Sequence, residues 1–350
     1  MRFISIILYT VAALALLPIA SKSQTVKFNA YMDIYYDWDN DQKVHANGDR
    51  SLTFLNERKN ETDVNIVQIG ATIEDTSWHG KFTLHSGRLP AVAAAGSEWH
   101  FLQEAWAGLR IMPDLWLDAG VFLTHIGAEA LTPRDNFMAL HSVMTSYQPF
   151  YQAGARLVYS KKDYEIQALF LNGYGRFEDN NDDKSLGWLF SYKGIEDITI
   201  SYNGVLGNEQ DFGNPVNTRF FNDIVVNASV AKGTDLRFLA DYCREIRAGI
   251  YAAHCYGGAV QIRQSLGAGF ACAMRGEIFH DPDNILGSGG VSSLSGLAAG
   301  LEYKASEKTY LRAETRMLNV SSASSVYFAA DNLQRSDRRF EIALNMGVWF

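Results

Sequence analysis

Arg275-x-Glu277 and Arg312-x-Glu314-x-Arg316 are the densest runs of charged chemistry in the chain. In an extended strand, residues i, i+2 and i+4 share one face. The two runs therefore form a cationic ladder with carboxylates set between the guanidiniums. Such a ladder can close on itself as a salt-bridge network, or it can present charge to a passing anionic solute. Both readings stay open at this level. If the ladder faces a channel, neutralising Arg312 and Arg316 is expected to shift ion selectivity. Glu104, Arg110, Asp118, Arg156, Arg237 and Arg263 also lie on the polar side of alternating stretches. No catalytic residue is nominated, because nucleophile elbow, H-E-x-x-H and phosphate-loop patterns are all missing. His85-Ser86 is the nearest approach to a nucleophile and base, and nothing singles out an acid to complete it. No metal or other cofactor is expected. The acidic stretch from Phe177 to Asp183 lacks the glycine of a calcium loop.

These residues must be positioned by strands. From Val26 to Trp38 every even residue is apolar and most odd ones are polar. The C-terminus repeats the pattern, with Phe340, Ile342, Leu344, Met346, Val348 and Phe350 alternating with Arg339, Glu341, Ala343, Asn345, Gly347 and Trp349. The same reading predicts strands near 64–73, 81–87, 100–111, 115–123, 151–159, 164–172, 185–192, 198–206, 218–229, 235–243, 255–263, 267–279, 295–303 and 309–318. Sixteen strands result. Their connections alternate between short turns and longer loops, which is the layout of a transmembrane antiparallel β-barrel. Trp38, Tyr159, Tyr192 and Tyr303 fall near strand ends on the apolar face, as interfacial girdles require. Closure is demanded by energy, since each unpaired backbone group in hydrocarbon costs several kcal/mol. The expected fold is all-β, a single barrel over residues 24–350 with both termini periplasmic. A barrel of about sixteen strands is too wide to be filled by its own side chains and leaves an aqueous channel.

The third long loop, 124–150, carries His125, Glu129, Arg134, Asp135, Asn136 and His141. Folded inward, it would narrow the channel and set a size limit; otherwise it packs on the rim. Cys243 and Cys255 flank the 244–254 loop and are candidates for a disulfide in an oxidising compartment. Cys272 lies on the apolar face and reads as a free thiol.

Residues 1–23 read as a secretory signal: a basic start at Arg2, an apolar run from Phe3 to Ala20, then Ser21-Lys22-Ser23 before the cleavage point. The net charge of the 350-residue chain is -8, which argues against a nucleic-acid partner. The mean hydropathy is only -0.12, the average of one face for lipid and one for water.

With the strands placed, the sequence resembles the beta-barrel porin-2 family of Gram-negative outer membranes. The resemblance rests on Gln103-Glu104-Ala105, Leu115-Trp116-Leu117-Asp118-Ala119-Gly120, His125-Ile126-Gly127, Asp135-Asn136, and Tyr151, Gly154, Arg156 and Tyr159. It continues in Arg275-Gly276-Glu277-Ile278-Phe279-His280-Asp281-Pro282-Asp283 and Leu311-Arg312-Ala313-Glu314-Thr315-Arg316. It implies an outer-membrane channel protein. The expected function is a porin passing small hydrophilic solutes or ions by diffusion. Expected partners are those solutes, outer-membrane lipid and lipopolysaccharide, and the barrel assembly machinery, reached through the C-terminal strand that ends on Phe350. A homotrimer is expected by analogy of fold. The alternatives are an adhesive or structural barrel with no open channel, and a barrel-borne hydrolase.

Overall fold

The computed structural model describes residues 24–43, 50–93, 97–247 and 251–350. The expected signal segment, 1–23, lies outside the described residues. Sixteen long strands form one closed antiparallel barrel. In chain order the first eight are Thr25–Asp39 (β1), Thr62–Glu74 (β2), Trp78–Ser86 (β3), Leu102–Met112 (β4), Leu115–Leu123 (β5), Tyr151–Lys161 (β6), Tyr164–Leu171 (β7) and Ser185–Ile195 (β8). Then come Ile198–Asn208 (β9), Asn217–Ala231 (β10), Thr234–Arg247 (β11), Tyr251–Gly267 (β12), Phe270–Asp281 (β13), Val291–Ser306 (β14) and Thr309–Val320 (β15). A two-residue hairpin, Phe328–Ala329 (β16) with Arg335–Ser336 (β17), sits in the last long loop. Arg338–Trp349 (β18) closes the barrel against β1, with Tyr31 opposite Trp349. All sixteen strands read from the period-two pattern are present.

Alternation sorts the side chains as expected. On β15, Leu311, Ala313, Thr315 and Met317 face outward and are exposed, while Tyr310, Arg312, Glu314, Arg316 and Leu318 face inward and are buried. Outward aromatics contact each other across strands: Trp38 meets Phe340 edge-on, and Tyr164 lies 5.0 Å from Tyr192 between ring centroids. Gly120 and Gly154 pair across β5 and β6 with φ of +132° and +153°. A Cβ on either would stand 2.2 Å or less from a backbone oxygen of the next strand, so only glycine permits this kink beside the third long loop.

The structure departs from the sequence reading in three places, one being that β12 runs on through 264–267 and β13 starts at Phe270 rather than 267. Residues 244–247 and 251–254, expected in a loop, continue β11 and β12, and β14 starts at Val291 rather than near 295. Past the lipid boundary outward residues need not be apolar, so Arg244 and His254 break the pattern while the hairpin's backbone bonds continue. The interior also differs along its length. Toward the short turns polar inward residues such as Gln167, Ser191, Glu302 and Arg312 stand beside Ala271 and Ala273. Toward the long loops many inward positions are apolar, including Phe122, Leu169, Leu171, Val205, Phe221, Phe279 and Leu318. They form a core with loop residues Leu52, Ile126, Val143, Met144 and Ile285.

Candidate functional site, the loop-filled lumen

The 124–150 loop folds into the barrel. From Met138 to Ser146 no residue is more than 1% exposed. A backbone with no sheet or long helix of its own still needs hydrogen-bond partners when buried, and the charged wall supplies them. Glu314 accepts the N–H groups of Ala139 and Leu140 at 2.8 and 2.9 Å. Glu277 accepts Val143 N–H at 2.6 Å. Arg275 donates to the Leu140 carbonyl at 2.7 Å, Arg312 to that of Met138 at 3.1 Å, and Arg316 to that of His141 at 2.9 Å. The ladder is therefore both an ion-pair network and a bed for the loop. Arg275 lies 3.2 Å from Glu314, 3.5 Å from Glu277 and 3.6 Å from Glu129, and Arg316 lies 3.0 Å from Glu341.

Within the loop, Glu129 accepts both the N–H and the hydroxyl of Ser142, at 2.8 and 2.6 Å, and Ser142 caps the helical turn Val143–Ser146. Burial raises the Glu129 pKa, but Arg275, His141 and Ser142 outweigh it and hold the carboxyl at about 2. Asn136 grips Ala130 at both its N–H and its carbonyl, each at 2.8 Å. Arg134 pairs with Asp135 at 3.1 Å and lies over the Tyr31 and Trp349 rings of the closing strands. His125 reaches the Gly204 carbonyl of β9 at 3.0 Å, and burial lowers its pKa to about 4. Burial also lowers the pKa of His141, which meets the Ala130 carbonyl at 2.8 Å.

Asp223 and Asp241 face each other across β10 and β11 and hold both ends of the loop. Asp223 accepts Gly127 N–H at 2.7 Å, and Asp241 accepts the Gln148 amide at 2.8 Å. Asp223 was missed as a site residue. Its signal was a carboxylate set between Phe221 and Val225 on the inward face of β10. Arg50 was missed as well. From the first long loop it binds Asp39, Asp37 and Glu341 of the wall.

Of the remaining inward charges, Arg263 joins the ladder through Glu302, which also binds Arg312 at 2.6 Å, and the rest are held elsewhere. Lys81 pairs with Glu104 at 2.5 Å, Arg156 with Asp118 at 3.0 Å, and Arg263 with Glu302 at 2.8 Å. Arg110 is exposed at the short-turn rim, 3.4 Å from the Thr76 carbonyl. Arg237 bonds Asn227 at 3.1 Å and lies under the Phe137 ring. Cys243 and Cys255 are register partners inside the strand pair rather than at the ends of a loop. Both are buried and both are free thiols, as is Cys272. Phe350 is exposed on the outer face, and its N–H meets the Ala30 carbonyl at 3.2 Å.

Residues 25–350 match the family model described as "Putative beta-barrel porin-2, OmpL-like". The chain belongs to this porin family. It is an outer-membrane channel protein for small solutes. Solved structures share its fold at low identity. An anion-selective porin from Comamonas acidovorans is 10% identical, with 93% of this chain and 100% of that one covered and a TM-score of 0.61. The outer membrane channel DcaP of Acinetobacter baumannii is 10% identical, with 96% and 100% covered and a TM-score of 0.60. A trimer form of OmpT from Vibrio cholerae is 9% identical, with 94% and 100% covered and a TM-score of 0.62. No curated protein matches the sequence of this porin.

Proposed function

We propose that this porin passes small hydrophilic solutes and ions by passive diffusion, without covalent chemistry, and that the 124–150 loop is its gate. The observation that carries the reading is the buried loop backbone held by wall side chains inside a closed sixteen-stranded barrel. In this conformation the loop occludes the lumen, and conduction follows its displacement. Both termini lie at the short-turn end, taken as periplasmic, and segment 1–23 is removed on export. Planar bilayers with purified protein test the reading, together with liposome swelling in a size series of sugars. Conductance steps and a size cut-off are expected. A protein that inserts, leaves the bilayer silent and still conducts nothing after removal of residues 128–147 would be a structural barrel.

The lumen side chains support a preference for anions. In three wall pairs near the short turns the cation is the more exposed partner: Lys81 30% against Glu104 6%, Arg156 16% against Asp118 2%, and Arg263 21% against Glu302 5%. A mobile ion therefore meets guanidinium and ammonium groups, with the carboxylates set behind them. Glu104, Asp118, Arg156 and Arg263 are selectivity residues on this reading. Arg275, Glu277, Arg312, Glu314 and Arg316 act on permeation through the loop. A homotrimer is supported by the trimer form of the Vibrio protein.

A further inference from the structure

Arg237, half-buried, differs from the other inward arginines. Arg50, Arg156, Arg219, Arg263, Arg275, Arg312, Arg316 and Arg339 each hold a carboxylate. Among the described residues Arg237 forms no ion pair, and its Nη1 has no hydrogen-bond partner. Its Nε donates to the Asn227 amide oxygen at 3.1 Å, and its guanidinium carbon lies 4.4 Å from the centre of the Phe137 ring. Phe137 belongs to the gate loop. The two residues border an open pocket of about 410 Å³ at the short-turn end of β8 to β11. Lys193, Thr199, Asn227, Ser229 and the carboxylates Asp197 and Asp235 border the same space. Asp235 already accepts the Ser229 hydroxyl at 2.7 Å and lies 4.0 Å from Arg263, so its charge is partly answered.

We propose that this cavity is a binding site for a small polyhydroxy carboxylate. The deduction rests on the channel reading and names a solute class for it. A cation with a buried, idle donor is costly unless that donor is met by an acceptor, and a guanidinium fork matches a carboxylate in shape and charge. Thr199, Asn227 and Asp235 supply the hydroxyl, amide and carboxylate that sugar-like hydroxyl groups use. The volume lies within the roughly 300–1,000 Å³ of small-molecule sites. A second cation, Lys193, stands at the border. Because Phe137 forms one wall, a solute here touches the underside of the gate.

The test uses full-length protein in detergent, titrated calorimetrically with sodium gluconate and, as the uncharged match, sorbitol. Gluconate should bind saturably and sorbitol should not. Arg237→Gln should weaken gluconate by about tenfold or more, the size of one lost charged hydrogen bond. Arg335→Gln, in the last long loop at the other end of the barrel, should leave binding unchanged. Heat-modifiable gel mobility confirms that each variant is a folded barrel. Equal heats for gluconate and sorbitol, or undiminished binding by Arg237→Gln, would overturn the site. Calorimetry does not require conduction, so a protein that binds gluconate but never conducts refutes the channel and leaves the site standing.

Discussion

Replacing Arg275 with glutamine leaves Glu129, Glu277 and Glu314 buried around a neutral side chain. Breaking a buried ion network from one side costs about 3–5 kcal/mol. The expected outcome is a lower unfolding temperature of the barrel and a larger mean conductance, read by circular dichroism and by bilayer recording. Arg316→Gln should also raise conductance, because it frees the His141 carbonyl and removes one of the cations at Glu341. If selectivity changes at unaltered conductance, Arg316 faces the permeating ion directly. The cysteine pair belongs to this scale too. Cys243 and Cys255 stand opposite each other in the register, so mild oxidation should join them, with a mass loss of two hydrogens and no change in barrel content. Intact thiols after oxidation would show that the thiol vectors do not meet.

The gate loop has its own pH response. His125 and His141 are buried, and both have pKa values held below the ordinary histidine value of 6.5. Each bonds a carbonyl oxygen, and each is set near arginines: Arg156 for His125, Arg275 and Arg316 for His141, with Glu129 opposing them at His141. A histidine whose folded pKa is depressed contributes stability that is present above 6.5 and is lost as pH falls toward the folded value. For His125 that window runs from 6.5 down to about 4. Glu129, held at about 2, keeps its contribution across the same window. Open probability should therefore rise as pH falls from 6.5 to 4, and a His125→Asn, His141→Asn variant should lose the response. A flat pH profile in the unaltered protein refutes this loop chemistry.

At the scale of the molecule, an apolar core joins the loops to the long-loop half of the barrel. Met144 packs against the Gly257 backbone on one side of it. Met144→Ala removes a buried side chain worth about 2–5 kcal/mol. The strands, paired independently of it, should remain, so the variant should show a looser gate in an intact barrel. Phe350 closes the outer face beside β1 without touching the lumen. Phe350→Ser should lower the amount of protein assembled in the outer membrane, measured by fractionation, while refolded protein conducts normally.

The period-two alternation determined the strands, their number, their faces and the turn order, because lipid on one side and a polar interior on the other impose a local rule on every second residue. Membership of the charged ladder was legible for the same reason: Arg275 and Glu277 share one face of β13, and Arg312, Glu314 and Arg316 share one face of β15. Whether the ladder met water, other side chains or a loop was not legible. The partners of Glu314 and Glu277 are backbone N–H groups more than a hundred residues away, and a backbone N–H carries no sequence signature. The same holds for Asp223 with Gly127 and for the empty donor of Arg237. Local alternation decides which way a side chain points. Only closure of the barrel and the return of the loop into it decide what that side chain meets.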